Sequence, residues 1–430
     1  MHYVILGNGM AGMEAALALR RSDAGARISL VSDEHDHFYS RPALMYVFCG
    51  QLDLRGTEPY DRRLYERLRF ERVRGRASAL DTGRRVLAFE EGRTLGYDRL
   101  LLAAGSRARP GVWPGAEGPG VHAFVTLRDL EALDRETQPG RRAVVIGGGL
   151  IGVEVAEVLL RRGVSVTFLI REDWYFPMAL DAGESRVVAE HMGTHGCDVR
   201  LGATVSRIAR DGDGAVRAVV LEGGAEVACD LVVVAIGVVP NTGFLATSGL
   251  RLSAGGAIEV DDALRTSAPD VWAAGDCANV TWSDGSRRPE QLWYTARDQG
   301  RAAARSMAGE DVTYRRGTWY NSAKFFDLEW TTAGWVPALI NWDNTPLDPG
   351  PGYRSWFQRV PGRPLTQRVV MKDDRVVGFN LLGSRWNHEP LLEWIEAGRT
   401  LDWVLTHLHE AQFDEELSEP FRVLPDARVS

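Results

Sequence analysis

The hydrophobic pattern of the chain begins with an apolar strand, a glycine-rich turn and an amphipathic helix, and the same three features recur roughly 140 residues later. The apolar run at residues 4–6 predicts a buried parallel strand, and a helical pattern follows it at residues 13–21. The recurrence pairs an apolar strand at residues 142–146 with a helix at residues 153–162. Two such units predict an α/β fold with two Rossmann-like domains.

Each predicted turn has the spacing G-x-G-x-x-G between its strand and its helix. In the first turn, Gly7 permits the tight bend, Gly9 leaves the backbone open to a pyrophosphate, and Gly12 lets helix and strand pack closely. The helix N-terminus adds unpaired N–H groups and a partial positive charge. One motif alone also fits an ordinary strand–turn–helix, but two make dinucleotide binding the stronger interpretation. The residues predicted to line the phosphates are Gly7, Gly9, Met10, Ala11, Gly12, Gly147, Gly149, Leu150, Ile151 and Gly152.

An acidic residue is expected about twenty positions beyond the first turn, where it would accept hydrogen bonds from an adenosine ribose. The second predicted strand, residues 27–31, is followed by Ser32, Asp33 and Glu34. We assign the ribose contact to Asp33 and keep Glu34 as the alternative.

Composition narrows the class of protein. A chain of 430 residues predicts two or three domains, and a net charge of −8 argues against nucleic acid as the main partner. No apolar run is long enough to predict a membrane span, and the first strand begins too early to leave room for a signal peptide. The four cysteines form no C-x-x-C motif, which favours a cytoplasmic protein without a structural disulfide or metal site. His388, His407 and His409 also lack metal-ligand spacing.

Four further motifs carry a family resemblance. They are Arg41-Pro42, the strand and turn at residues 97–106, the segment A-x-G-x-x-P-N at residues 235–241, and Ala274-Gly275-Asp276. With the two glycine turns, they resemble FAD-dependent pyridine nucleotide oxidoreductases of the disulfide-reductase superfamily. The resemblance is to the branch that holds ferredoxin, rubredoxin and nitrite-reductase-type flavoproteins and apoptosis-inducing-factor-like proteins. It implies FAD in the first Rossmann domain and a nicotinamide cofactor in the second.

The resemblance also implies FAD contacts outside the first glycine turn. Asp276 would accept a hydrogen bond from the ribityl chain, and the helix predicted at residues 290–308 would point its positive end at the flavin pyrimidine. Tyr46 and Ala104 depart from the family pattern, which often has lysine and threonine there. The implied FAD contacts are Arg41, Pro42, Ala77, Ala103, Gly105, Gly237, Gly275, Asp276, Gln291, Leu292 and Trp293.

Two residues are candidates for a catalytic role. In relatives, an acid at the position of Glu154 helps to place the nicotinamide; the alternative is a partner for the helix dipole. Lys324 lies in the segment that reaches the flavin in relatives; the alternative is a surface lysine.

The choice of nicotinamide depends on the end of the strand at residues 165–169. The acid expected for NADH would fall near Ile170, which is apolar, whereas Arg171 could meet the 2′-phosphate of NADPH. Glu172 would repel that phosphate, and Pro177 stands where relatives carry a second basic residue. The sequence therefore favours NADPH and leaves NADH open.

The motifs suggest three domains: residues 1–110 with 242–314 for FAD, residues 111–241 for NAD(P), and a C-terminal α+β interface domain at residues 315–430. In the third domain we predict strands at residues 324–333 and 375–382, helices at 389–397 and 401–408, and a long loop at 341–364. In relatives this domain often builds a dimer, so a homodimer is expected.

Three functions are compatible with the resemblance. The first is an NAD(P)H-dependent reductase that passes electrons through flavin to an iron–sulfur or rubredoxin-type protein. The second is an oxidase or a reductase of quinones or disulfides that uses Cys49, which otherwise reads as a small buried hydrophobe. The third is a flavoprotein whose redox state controls assembly. The arginine-rich segment at residues 61–76 is either a solvated helix face or a docking surface for an acidic electron carrier.

Overall fold

The structure is a computed structural model that describes residues 1–340, 346–414, 416 and 419–429. The chain forms two compact units. The first contains residues 1–109, 125–134 and 237–317, and the second contains residues 110–124, 135–236 and 318–430. Each unit is described by itself below.

The strands of the described residues are numbered in chain order. They are β1 (His2–Leu6), β2 (Arg27–Ser32), β3 (Phe70–Arg74), β4 (Ala77–Asp81), β5 (Val86–Phe89), β6 (Thr94–Gly96), β7 (Arg99–Leu102), β8 (Ser106–Ala108), β9 (Val121–His122), β10 (Arg142–Ile146), β11 (Ser165–Leu169), β12 (Asp198–Arg200), β13 (Val205–Arg210), β14 (Val216–Leu221), β15 (Glu226–Ala228), β16 (Leu231–Val234), β17 (Val238–Pro240), β18 (Ile258–Glu259), β19 (Val271–Ala273), β20 (Ala278–Thr281), β21 (Arg287–Arg288), β22 (Tyr320–Phe325), β23 (Leu328–Gly334), β24 (Tyr353–Arg359), β25 (Thr366–Lys372), β26 (Arg375–Leu382) and β27 (Arg428–Val429).

The α-helices of the described residues are numbered in the same way. They are α1 (Met10–Ser22), α2 (Leu44–Phe48), α3 (Arg63–Arg67), α4 (Leu127–Glu136), α5 (Leu150–Arg161), α6 (Ala182–Thr194), α7 (Trp293–Met307), α8 (His388–Glu396) and α9 (Leu401–His407). None of them is both long and apolar enough to cross a membrane, within the residues that the structure describes.

The first unit is built on a parallel sheet with strand order β19-β7-β1-β2-β3. The central strand β1 pairs in parallel with β2 on one side and β7 on the other, and Val4, Ile5 and Leu6 are buried there. Because the chain departs from β1 towards β2 and returns to β7 on the other side, the strand order reverses at β1. Open α/β sheets bind ligands at such a reversal, outside the carboxyl ends of the strands.

Two helices of the first unit touch backbone to backbone. A Cβ atom added at Gly300 of α7 would overlap the carbonyl oxygen of Ala11 in α1. The missing side chain lets the two helices cross at contact distance, and this holds the start of α1 in place at the end of β1.

The arginine-rich segment differs from its prediction as a helix face. Only α3 is helical, and the remainder continues into β3, the edge strand of the parallel sheet, which pairs in parallel with β2. Phe70 is buried in the core of the first unit, and Val73 is partly buried against that core. The next two strands, β4 and β5, pair antiparallel and form a hairpin.

The second unit contains a parallel sheet of order β12-β11-β10-β16-β9, which repeats the arrangement around β1. Two parallel sheets with helices confirm the α/β class and the two Rossmann-like folds. A three-stranded antiparallel sheet, β13-β14-β15, belongs to the same unit.

The C-terminal part of the second unit is a six-stranded antiparallel sheet of order β22-β23-β26-β25-β24-β27. The core on this sheet contains Trp356 and Phe379 of its strands, Trp386, Trp394 of α8 and Val404 of α9. The single strand predicted at residues 324–333 is a hairpin instead.

The loop predicted at residues 341–364 is also partly wrong. Residues 341–345 lie outside the described residues, but β24 occupies Tyr353–Arg359 within the predicted loop and pairs with β25 along its whole length. Trp356 and Gln358 of β24 are buried, which a loop assignment based on its proline and glycine content could not anticipate.

Candidate functional site

The first glycine turn has the geometry that a pyrophosphate requires. Gly7 has φ +117°, and a Cβ atom there would overlap the carbonyl oxygen of Ala103; a Cβ atom on Gly12 would overlap that of Gly7. Gly9, by contrast, faces open space and caps α1 without a side-chain hydrogen bond. No side chain caps the first-turn N–H groups, which include those of Met10 and Ala11, so they can interact with an anion.

The second glycine turn repeats this arrangement in the second unit. Gly147 has φ +116°, and Gly149 faces open space at the start of α5. Gly152 lies directly on Gly147, and Leu150 and Ile151 begin the helix. Both turns fit a dinucleotide by the same test: the positions facing the strand are too crowded for a side chain, and the middle glycine is not.

Asp33 and Glu34 are both engaged by the protein, but in different ways. Glu34 is largely buried, and its carboxylate accepts hydrogen bonds from Tyr39 Oη, Arg41 and the Leu127 N–H. Burial opposes ionisation of Glu34, but Arg41 and Tyr39 hold its pKa below the ordinary value. Asp33 is one-third exposed and reaches Arg76 and Arg128. Of the two carboxylates, that of Asp33 is the more exposed.

Arg41 and Pro42 form a short 3-10 turn beyond these acids. Arg41 donates to Glu34 at 2.6 Å and to the carbonyl oxygen of Val125, so its guanidinium is held in place. Its charge also reaches Asp276.

Asp276 is located at the next loop of the first unit. Burial raises its pKa, although the Ser106 hydroxyl donates to Asp276 Oδ2 at 2.7 Å and Arg41 opposes the shift. Gly275 has φ +77°, and its N–H donates to Gln299 Oε1 at 2.8 Å. Ser106 and Gln299 were not anticipated, because their hydrogen bonds link segments far apart in the sequence.

The segments around Gly105 and Gly237 form a narrow two-stranded ribbon. β17 pairs antiparallel with β8, and the Asn241 N–H donates to the carbonyl oxygen of Gly105. The Arg109 N–H donates to the carbonyl oxygen of Gly237. Ala103 is buried at the end of β7, whereas Ala77 begins β4 opposite Phe89. The structure thus brings Gly7, Ala11, Ala103, Gly105, Gly275 and Asp276 together at one edge of the first sheet.

The helix expected to begin at Glu290 begins at Trp293 instead. Glu290 is buried in an ion pair with Arg316, whose Nη2 atom lies 2.6 Å from Glu290 Oε1. Glu290 therefore has a structural role. Leu292 is the N-cap of α7 and makes no side-chain cap, and Gln291 is exposed. No side chain caps the start of α7, so its first-turn N–H groups can interact with a negatively charged group.

Glu154 and Lys324 lie in one cluster of the second unit. Lys324 Nζ is 2.8 Å from both carboxylate oxygens of Glu157, one turn along α5 from Glu154, so Lys324 is not a solvated surface lysine. Burial raises the pKa of Glu154 to about 7; the charge of Lys324 lowers it and that of Glu157 raises it further. Glu157 was missed because a helix-interior acid carries no motif.

Arg171 is paired with its neighbour. The Nη2 atom of Arg171 lies 2.7 Å from Glu172 Oε1, while the Arg171 side chain is 59% exposed. Ile170 is fully buried against Gly148. A polar side chain substituted at position 170 could not reach a ribose while this packing is kept.

Comparisons with known proteins agree with this geometry. The family model described as pyridine nucleotide-disulphide oxidoreductase matches residues 1–300. A ferredoxin–NAD(P)+ reductase of Sphingomonas sp. is 33% identical, over 94% of this chain and 95% of its own length. The ferredoxin reductase subunit of a 5,5′-dehydrodivanillate O-demethylase from Sphingobium sp. is 32% identical, over 93% and 91%.

Among solved structures, the ferredoxin reductase for the CYP199A2 system from Rhodopseudomonas palustris is 27% identical. It has a TM-score of 0.78 and covers 89% of this chain and 91% of its own.

Proposed function

This chain belongs to the pyridine nucleotide-disulphide oxidoreductase family, and we propose on that premise that its electron acceptor is a small iron–sulfur protein of the ferredoxin class. The family resemblance inferred from the motifs is confirmed. The chain is an FAD-dependent NAD(P)H oxidoreductase that passes electrons from a nicotinamide through flavin to an external acceptor. The names of its relatives support an acceptor of the ferredoxin class.

The observation that carries the cofactor part of this function is the pair of matching glycine turns, each at a helix N-terminus without a side-chain cap. In the first unit, the turn of Gly7, with Asp33 and Asp276, would hold FAD. In the second unit, the turn of Gly147, with Glu154, would hold the nicotinamide cofactor. Bound FAD supplies the redox chemistry, since it can accept a hydride and release electrons singly.

The cysteines support direct release of electrons from the flavin. None of the four is in a disulfide; Cys197, Cys229 and Cys277 are buried, and Cys49 is half-buried at the end of α2. Burial raises the pKa of Cys197 to about 12, which keeps that thiol protonated and unreactive. Four cysteines outside any disulfide also favour the cytoplasm, where thiols stay reduced.

The positions of the motifs divide the chain into three domains with different roles. We assign residues 1–110 and 242–314 to FAD, residues 111–241 to the nicotinamide, and residues 315–430 to an interface domain through which two copies form a dimer. Light scattering of the FAD-loaded protein tests the dimer.

We propose NADPH as the nicotinamide cofactor, with NADH as the alternative. Arg171 is exposed and can meet a 2′-phosphate, but Glu172 already pairs with it and would weaken that contact. The relative named for NAD(P)+ is compatible with either cofactor.

The docking surface for the acceptor is the arginine segment, defined as residues 61–76. Arg63 and Arg67 are exposed on or at the end of α3 and form no ion pair with any described residue. Unpaired arginines attract an acidic partner over distances near the Debye length.

The experiment is steady-state oxidation of NADH and NADPH by FAD-loaded protein, with and without an added ferredoxin. The proposal expects fast turnover only when ferredoxin is present. Fast turnover with oxygen, a quinone or a disulfide alone would contradict it, and loss of that turnover in Cys49→Ser would identify the thiol-dependent alternative. Slow turnover with every acceptor, with a changed oligomeric state on reduction, would support the assembly function instead.

A further inference from the structure

Two histidines and an aspartate converge at one end of α6. His191 lies in the last turn of α6, and His195 is its C-cap. Asp327 occupies the two-residue turn between β22 and β23. Its Oδ1 lies 2.6 Å from His191 Nε2 and 3.3 Å from His195 Nε2, and the three atoms all lie within 4.8 Å of one another.

The protonation of His195 leaves a lone pair facing this point. Its Nδ1 is 3.0 Å from the carbonyl oxygen of His191, and because a carbonyl only accepts, Nδ1 carries the proton. In the neutral ring, Nε2 then presents a lone pair to Asp327 Oδ1, which is also rich in lone pairs. A cation between them removes that repulsion. A hydrogen bond from the second nitrogen to a carbonyl is also the usual support for a metal-bound histidine.

The surroundings favour a cation. The two rings lie at the C-terminal end of α6, where the helix dipole is negative. His191 has only 13% of its side chain exposed. The ring of Phe326 is buried and lies 5.3 Å from the ring of His195, which fixes the turn that carries Asp327.

We propose that His191, His195 and Asp327 bind a divalent transition metal of the zinc class. Two imidazole nitrogens and one carboxylate oxygen are a donor set that zinc accepts, with water completing a tetrahedron. Magnesium and calcium prefer all-oxygen sites and are not expected here. The ion would tie the end of α6 to the β22–β23 hairpin, which are far apart in sequence.

The other histidine cluster of the described residues makes a control. His35, His37 and Glu58 also lie close together. There, however, the Nη1 atom of Arg72 is 2.8 Å from His37 Nε2. The guanidinium therefore occupies the lone pair of His37 Nε2 and also repels a cation. We therefore expect no metal at that cluster.

The test is calorimetric titration of Zn²⁺ into FAD-loaded protein that has first been freed of metal with a chelator. We expect one equivalent to bind. His191→Gln and His195→Gln should each weaken binding by more than about 100-fold, since even losing a residue that supports a ligand costs 10–100-fold. His37→Gln and His409→Gln, which remove histidines elsewhere, should bind zinc as the unmodified protein does, and Mg²⁺ should not bind.

A second measurement separates loss of the site from loss of the fold. Asp327 has 66% of its side chain exposed, so Asp327→Asn should fold normally and keep its flavin spectrum. Zinc should raise the thermal unfolding temperature of the unmodified protein and of His37→Gln, but not that of Asp327→Asn. No zinc binding by the unmodified protein, or zinc binding by Asp327→Asn or His191→Gln as tight as that of the unmodified protein, would overturn the proposal.

Discussion

Lys324 of β22 places its ammonium nitrogen 2.8 Å from each carboxylate oxygen of Glu157 in α5. Arg161 also pairs with Glu157, at 2.9 Å. Because these two cations are committed to Glu157, the charge of Lys324 offsets only part of the effect of burial on Glu154. The second glycine turn is therefore followed by a carboxyl group that titrates near neutral pH, which can either accept or donate a hydrogen bond to a bound carboxamide.

The first prediction concerns this carboxyl group and the pH dependence of stability. The folded pKa of Glu154 is about 7, above its ordinary value of 4.5. Between these values the folded chain holds a proton that the unfolded chain has lost, so its contribution to stability is present below about pH 4.5 and is lost as pH rises through 7. Glu154→Gln has no such carboxyl group, so it should avoid up to about 3 kcal/mol of the unfolding free energy that the unmodified protein loses as pH rises.

The measurement is urea unfolding of the FAD-loaded protein at several pH values between 4.5 and 8. Glu154→Gln should gain stability relative to the unmodified protein as pH rises. Parallel curves for the two proteins would show that Glu154 keeps an ordinary pKa.

The second prediction concerns a buried ion pair of the second unit. The Nη2 atom of Arg368 lies 2.9 Å from Glu184 Oε2, and both side chains are almost fully buried. Arg368→Met would leave the carboxyl group buried without its partner, and should cost about 3–5 kcal/mol of unfolding free energy. Adding Glu184→Gln should recover part of that loss. Arg359→Met breaks an exposed pair with Glu190 and should cost at most about 1 kcal/mol.

The third prediction compares two glycines inside helices. Gly300→Ala places a Cβ atom on the backbone of Ala11, so it should push α7 from α1, lower the unfolding temperature and weaken FAD retention. Gly193→Ala in α6 meets open space and should stabilise by up to about 1 kcal/mol. Equal effects of the two substitutions would argue against close packing of α1 and α7.

The fourth prediction concerns nicotinamide preference. Arg171→Ala should raise KM for NADPH more than KM for NADH, because only NADPH carries the 2′-phosphate. Glu172→Gln frees Arg171 from its 2.7 Å ion pair and should lower KM for NADPH. Initial rates with both nicotinamides test this; equal changes for both would remove Arg171 from the assignment.

The fifth prediction concerns the arginine segment. Arg63→Gln with Arg67→Gln should raise KM for an acidic ferredoxin on the order of 5–10-fold at low salt and weaken the salt dependence of the reaction. KM for the nicotinamide should not change. Arg186→Gln with Arg251→Gln removes the same charge elsewhere and serves as the control; an equal effect of both pairs would mean that only net charge matters.

The local sequence pattern was sufficient to predict the bounds of strands that consist of one short apolar segment. The strands at residues 142–146 and 165–169 and the strand at 375–382 are observed with their predicted bounds, since each is a compact apolar run between clear turn signals. Prediction failed where polar content hid a buried strand, as in β24, or where charge hid an edge strand, as in β3. It also joined β22 and β23, because Phe326 in the turn is as apolar as its neighbours.

The sequence by itself determined the two glycine turns, their order and the residue types that line them, because strand, turn and helix are set by neighbours in the chain. Only the tertiary structure decided which partners the charged groups take: Lys324 with Glu157, Arg41 with Glu34, and Asp327 with His191 and His195. Side chains far apart in sequence meet only when the sheets and helices pack, and the pKa of Glu154 depends on that packing.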